Sequence, residues 1–339
     1  MNTKSLARAL AGGFAAASLY LLSLAACAQS PQTSQQQGAA AAWPTKPVKL
    51  VVGYAPGGVA DMTARMIAQK LSVALGQQVI IENKPSAGLI VASEMVAKAD
   101  PDGYTLLHLN YGNAVSAALY RTLPFDTVRD FAPISAMGFF DVMVLANKGS
   151  NISSIKDVIA LAKANPDKLN IGTVSIGSGQ YMAASLFKAM TGLNLTIVPF
   201  KSTPALVTAL KSNDIQVAFE IGAPVLSLVR SGDLKAIAIS SARRFSSLPD
   251  VPTLAESGVS GYQVTAWNGI AAPAKTPRAI IERLNREVNA ALAQPDIRQR
   301  FQEFGIDARG GSPEELRDLL AGEIVKWKDL VETTKMEKQ

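Results

Sequence analysis

From Pro47 onward, short apolar runs alternate with longer stretches in which apolar residues recur every three or four positions. That alternation predicts βα units laid against a mainly parallel sheet. Val48–Val52 reads as a strand and Val59–Leu75 as a helix, followed by a strand at Gln78–Glu82 and a helix at Ile90–Ala99. The turn Pro101-Asp102-Gly103 leads into a strand at Tyr104–Leu109, and Val142–Ala146 is a further apolar strand. Ile155–Ala164 is a helix behind Ser153-Ser154. A second set then opens with a strand at Leu169–Val174, the turn Ser175–Gly179 and a helix from Gln180 to Met190. Leu195–Pro199 and Ile215–Phe219 are strands, each followed by a helix, and Lys235–Ser240 continues the sheet. The tail is helical over Arg278–Leu292, Asp296–Phe304 and from Pro313, where Ser312-Pro313-Glu314-Glu315 is a capping box.

Each half therefore offers a leading strand, a Gly/Ser turn and a helix start. In Leu50-Val51-Val52-Gly53-Tyr54-Ala55-Pro56-Gly57-Gly58-Val59-Ala60-Asp61 the strand runs through a glycine turn directly into a helix. Such a junction aims unpaired backbone N–H groups and a positive helix end at one spot, which suits a carboxylate or phosphate. Two open sheets of this kind meet at the carboxyl ends of their strands, so a cleft between two domains is the expected site. A chain of 339 residues is long enough for two domains.

Composition narrows the classes. Hydrophobic residues make up 48% and charged residues 18%, as in an ordinary soluble α/β protein. The net charge of +6 is spread out, without a basic run or interleaved aromatics, which argues against a nucleic-acid partner. At the N-terminus, Lys4 and Arg8 precede an apolar stretch from Phe14 to Leu24 that ends in small residues, as in a secretory signal. The sole cysteine, Cys27, stands at its end in Leu24-Ala25-Ala26-Cys27. This segment resembles a bacterial lipobox, with residues 1–27 as leader, Cys27 lipidated and 28–42 a flexible Gln/Ser/Ala-rich tether. Cleavage after Ala26-Cys27-Ala28, releasing a soluble periplasmic protein, is the other reading. Either way no disulfide forms in the mature fold.

Several short pieces recur at characteristic places: Trp43-Pro44-Thr45-Lys46-Pro47-Val48; Ala55-Pro56-Gly57-Gly58 with Asp61; Ala99-Asp100-Pro101-Asp102-Gly103-Tyr104-Thr105-Leu106-Leu107; and Leu123-Pro124-Phe125-Asp126. Later come Leu248-Pro249-Asp250-Val251-Pro252-Thr253, Glu256-Ser257-Gly258-Val259, Gly261-Tyr262, Trp267-Asn268-Gly269 and Ala272-Pro273-Ala274. In this order and spacing they make the chain resemble the periplasmic solute receptors of tripartite tricarboxylate transporters, the Bug family. The resemblance runs from Trp43 to the C-terminal helix. It implies a two-domain clamshell of the periplasmic-binding-protein type, with 43–146 and 266–339 in one α/β domain and 147–265 in the other. It further implies a monomer without cofactor that captures a small organic carboxylate and delivers it to inner-membrane transporter subunits.

The candidate ligand residues follow from both readings. Gly57 and Gly58 let a ligand oxygen approach the backbone and leave N–H groups free, with Val59 and Ala60 where the family often carries hydroxyls. Asp61 is assigned to the helix dipole, because a carboxylate there repels an anion. Gly88 is a contact in the second loop, where Leu89 and Ile90 make the wall apolar. Tyr54 stands at the mouth of the first junction. Asn110 and Tyr111 follow a strand into a loop, where Tyr111 either faces the cleft or lies on the surface. On the opposing side stand Ser178, Gly179 and Gln180, beside Gly177, with Ser178 either a helix N-cap or a ligand contact. Lys201 either pairs with a carboxylate or is solvated, Glu220 and Gly222 end a strand at cleft level, and Trp267 either touches solute or packs a hinge.

Enzymatic chemistry lacks its parts. His108, the sole histidine, sits inside Leu106-Leu107-His108-Leu109 and reads as a core residue. With one histidine and one cysteine, no Ser-His-Asp triad or His/Cys metal site can be assembled, and the P-loop and dinucleotide glycine motifs are missing. The apolar positions Val59, Ala60, Leu89 and Ile90, with Tyr54 and Tyr111, favour a larger or aromatic carboxylate over an aliphatic di- or tricarboxylate. A sensor that reports its loaded state to a signalling receptor uses the same cleft.

Overall fold

The computed structural model describes residues 43–166, 168–174, 176, 178–245 and 247–339. The leader, Cys27, the 28–42 tether and Gly177 lie outside the described residues.

Val48–Val52 (β1) is buried at every position except Lys49, as expected of a strand covered on both faces. It pairs in parallel with Val79–Asn83 (β2) on one side and Thr105–Asn110 (β3) on the other. Val59–Leu75 (α1) returns the chain along the sheet and buries Thr63, Ile67, Leu71 and Leu75, a stripe at four-residue spacing. It stops at Gly76, which takes the left-handed conformation (φ 67°) that ends helices. Ile90–Ala97 (α2) connects β2 to β3. The parallel pairing of β1 with β2 and β3 fits the mainly parallel sheet that the apolar pattern predicts.

Three elements differ from that pattern. The run at Val142–Ala146 is the end of a longer strand, Phe131–Asn147 (β4), whose first part carries irregular register at Pro133/Ser135 and Ala136/Gly138. Those bulges break the two-residue period and hide the strand. Thr265–Pro273 (β9) is buried at all but its first position, because it lies between β3 and β4 and pairs antiparallel with both. Finally, Asn110–Asn113 is not a loop. Asn110 caps a helix, Tyr111–Leu119 (α3), through its side chain, and Asn113 bonds back to the Asn110 N–H at 2.9 Å.

The second half repeats the parallel theme. Asn170–Val174 (β5) lies between Thr196–Phe200 (β6) and Val217–Ile221 (β7), parallel to both. Its helices are Ile155–Ala164 (α4), Gly179–Thr191 (α5), Thr203–Lys211 (α6) and Gly222–Arg230 (α7). Leu206, Leu210, Ile215, Val225, Leu226 and Leu234 form the core under these helices. Each such side chain, fully removed from water, contributes roughly 1.5–3 kcal/mol of hydrophobic stabilisation. Leu234–Ile239 (β8) adds an antiparallel neighbour to β4.

β4 joins the two halves. Through Asp141 it pairs with β9, and from Val142 it pairs with β7 and β8 instead. The resulting sheet is mixed, in the order β2-β1-β3-β9-β4-β7-β5-β6. The chain returns at the same level, where buried Ser240 accepts the Val142 N–H (3.0 Å) and donates to the Val264 carbonyl (2.6 Å). One hydroxyl thus ties both passages of the backbone together. Arg278–Ala293 (α8), Pro295–Glu303 (α9), the short strand Ile306–Asp307 (β10) and Pro313–Thr333 (α10) complete the first half. The predicted Ser312/Glu315 capping box is present at the start of α10. That helix buries Leu316, Leu320, Ile324, Trp327 and Leu330.

Candidate functional site

The β1–α1 junction is built around Asp61. Its buried carboxylate accepts from the Gly57 N–H, Arg65 Nε and Asn83 Nδ2, each at 2.9 Å. Burial pushes the Asp61 pKa up, but the bonds from Arg65, Gly57 and Asn83 outweigh it and hold the group below the ordinary carboxylate range. Asn83 also donates to the Tyr54 carbonyl (3.0 Å), so Asp61 and Asn83 together fix the glycine turn. Asp61 therefore does more than complement the helix dipole. Conversely, the Gly57 N–H, expected to be free, is committed to Asp61. Gly57 needs its glycine for a different reason, a φ of 90°.

Gly58 is the N-cap of α1 and brings no side chain to cap it. Gly57 and Gly58 are exposed, and a Cβ placed on either meets nothing within 4 Å. The start of α1 thus opens onto free space, with Val59 and Ala60 half-buried beside it. Inside the first turn, Thr63 bonds the Val59 carbonyl (2.8 Å) and receives Asn268 Nδ2 (3.0 Å), fastening the helix start to β9.

Beside the junction, Tyr54, Leu89, Asn110 and Gly112 pack into one wall. The Tyr54 hydroxyl donates to Asn110 Oδ1 at 3.2 Å, and Asn110 Oδ1 also accepts the Gly112 N–H at 2.8 Å. A Cβ on Gly112 would stand 2.7 Å from the Tyr54 oxygen and 3.1 Å from Leu89. Burial, with Tyr111 nearby, raises the Tyr54 pKa well above the usual phenol value. Gly88 has φ 62°, and its missing Cβ leaves room for the Tyr120 ring, which a Cβ would approach to 2.6 Å. That explains the glycine by packing.

The opposing half meets this wall through Tyr111. Its side chain is buried, not on the surface, and its hydroxyl accepts the Gly179 N–H at 3.2 Å. A Cβ on Gly179 would lie 2.0 Å from the Tyr111 ring, so only glycine permits the approach. Burial drives the Tyr111 hydroxyl up to about 12. Ser178 caps α5, accepting the Tyr181 N–H at 3.1 Å and donating to the Val174 carbonyl at 2.7 Å. Gln180 Nε2 donates to Glu220 Oε1 at 2.8 Å, where the Ile221 N–H (2.7 Å) also arrives, and Thr203 bonds Glu220 Oε2 at 2.9 Å. Burial raises the Glu220 pKa, with these three donors opposing it. Gly222 opens α7 immediately after this strand.

The tripartite tricarboxylate transporter family receptor model matches residues 63–336. The chain belongs to that receptor family. It is 33% identical over 291 residues to a protein in the tcbD-tcbE intergenic region of a Pseudomonas species, covering 86% of this chain and 87% of that one. Among solved structures it resembles an R. palustris protein with adipate (TM-score 0.78, 32% identity, 86% of this chain and 98% of that one). It is also similar to MatC from Rhodopseudomonas palustris with bound malate (TM-score 0.75, 32% identity, 85% and 100%). The fold and the solute-receptor class expected from the sequence are those of its family.

Within this receptor fold the predicted positions divide. Tyr54 bonds Asn110 on one side, Gln180 bonds Glu220 on the other, and Tyr111 reaches Gly179 between them. Gly57, Gly58, Val59 and Ala60 form the open helix start. Lys201 is exposed and pairs with no carboxylate among the described residues. Trp267 is fully buried in β9, opposite Phe139, which is a packing position at the passage between halves. His108 is buried in β3, as its apolar neighbours predict. Asn83, Thr63 and Ser240 escaped sequence reading, since their bonds to Asp61, Asn268 and Val264 span 22, 205 and 24 positions.

A hollow of about 770 Å³ lies elsewhere, lined by Asp141, Arg243, Arg298, Asp307 and Arg309. It contains none of the predicted ligand residues. Among the described residues no group of His, Cys, Asp and Glu could hold a metal ion, and no helix is long and apolar enough to cross a membrane.

Proposed function

We propose that the protein is an exported, Cys27-anchored receptor that binds a small organic carboxylate between the α1 start and the α5 start and hands it to a membrane transporter. The observation that supports this reading is the bond from the Gly179 N–H to the Tyr111 hydroxyl, which sets the α5 start against α3, whose cap residue Asn110 accepts Tyr54 from the β1–α1 junction. The solved relatives with adipate and malate support a carboxylate as the ligand class. In this reading the backbone donors at Gly58, Val59 and Ala60 receive the carboxylate, helped by the positive end of α1. Tyr54, Leu89 and Tyr111 supply an apolar wall, which favours a larger or aromatic acid.

In this reading the two domains, expected over 43–146 with 266–339 and over 147–265, are joined where β4 changes partners at Asp141/Val142 and where the chain returns at Val264/Thr265. Opening and closing about these two strands, tied by Ser240, is the hinge motion of such receptors. The protein acts by binding and release, without turnover. Deleting its gene abolishes uptake of the labelled acid in this reading. Unchanged uptake with a lost transcriptional response to the same acid would replace transport by signalling.

A further inference from the structure

The two helix starts are not equivalent. At α1 the cap residue is Gly58, no side chain bonds the first-turn amides, and the surroundings are open. At α5 side chains already supply acceptors to two first-turn amides: the Gly179 N–H goes to the Tyr111 hydroxyl and the Tyr181 N–H to Ser178 Oγ. The Tyr111 ring lies so close to the Gly179 backbone that a methyl group could not be placed between them. Buried Glu220 accepts from Gln180 Nε2 of the same first turn, which puts its carboxyl oxygens, acceptors only, on this side of the cleft.

We infer that Tyr111 sets the number of carboxylates the ligand carries. Its hydroxyl takes the place of a second ligand carboxylate at α5, so the cleft selects acids with one carboxylate and an uncharged, apolar far end. The inference rests on the carboxylate reading of the cleft and goes beyond it by naming the residue that discriminates. A dicarboxylate must displace the Tyr111 hydroxyl from Gly179 and bring its second charge towards Glu220. A monocarboxylate of the same length lays methylene or ring carbons against the tyrosine instead.

The test is calorimetric titration of the wild-type protein and Tyr111→Phe with matched pairs: butyrate and succinate, hexanoate and adipate, benzoate and terephthalate. The phenylalanine keeps the ring and frees the Gly179 N–H. Wild type should bind the monocarboxylate of its preferred pair at least about ten-fold more tightly, and Tyr111→Phe should shift that ratio towards the dicarboxylate by about ten-fold. A wild-type protein that binds the dicarboxylate as well or better overturns the inference without any variant. So does an unchanged ratio in Tyr111→Phe. Absence of binding by every acid would instead overturn the carboxylate reading on which the inference stands.

Discussion

His108 offers the sharpest quantitative test of the fold. The residue is buried on β3, its Nε2 has no hydrogen-bond partner among the described residues, and Nδ1 lies 3.5 Å from Asn110 Nδ2. Burial lowers its pKa from 6.5 to about 4. Below pH 6.5 the unfolded chain therefore binds a proton that the folded protein refuses, and stability falls as the pH drops towards 4. Between pH 7.5 and 5 this linkage costs about 2 kcal/mol. His108→Leu removes the titration and the unpaired nitrogen, at a shape-mismatch cost of up to about 1.5 kcal/mol. The absolute pH profile cannot isolate the effect, because Asp141 works against it. Burial, reinforced by Asp307, raises its pKa to about 6, so stability falls as pH rises between 3.8 and 6. The difference between variant and wild type cancels that contribution. Urea unfolding at pH 7.5 and 5 should show the leucine variant gaining about 2 kcal/mol on wild type at the lower pH. An equal difference at both pH values would refute the buried, neutral histidine.

Ser240→Ala removes the hydroxyl that bonds Val142 and Val264, leaving a buried N–H and a buried carbonyl without that partner. A loss of roughly 2–4 kcal/mol is expected from urea unfolding, since each unsatisfied group costs about 1–3 kcal/mol; a loss below 0.5 kcal/mol would contradict the tie. Gly58→Ala separates fold from binding, because Gly58 has φ −82° and no atom within 4 Å of an added Cβ. Because alanine is a poorer N-cap than glycine, the variant's unfolding free energy should fall by about 1 kcal/mol, leaving the protein folded, while carboxylate affinity measured by calorimetry falls about ten-fold. Unchanged affinity would move the ligand away from α1.

The sequence reading succeeded where structure is local. The β1–α1 junction, the strands β1 and β5 and the α10 capping box each rest on residues within a few positions of one another. It failed where long-range pairing decides. β4 was seen only in its regular second part, because bulges at Pro133 and Ala136 break the alternation, and β9 carries too little alternation to stand out between two strands. Tyr-Gly-Asn is a poor helix opening by propensity and reads as a loop, and the Asn110 side-chain cap overrides that. At the site, the glycines were legible as points of close approach. What approaches them was not: Asp61 at Gly57, Tyr120 at Gly88 and Tyr111 at Gly179 come from other elements or the next helical turn.

Thermal unfolding of the mature protein with carboxylates and their uncharged amides bears most directly on a cleft that captures a carboxylate at the open α1 start. A ligand at a hundred times its dissociation constant adds about 2.7 kcal/mol of stability. At least one mono-, di-, tri- or aromatic acid should raise the transition temperature saturably, and its amide should not. If no acid in the panel stabilises the protein, or acid and amide do so equally, the carboxylate receptor is contradicted.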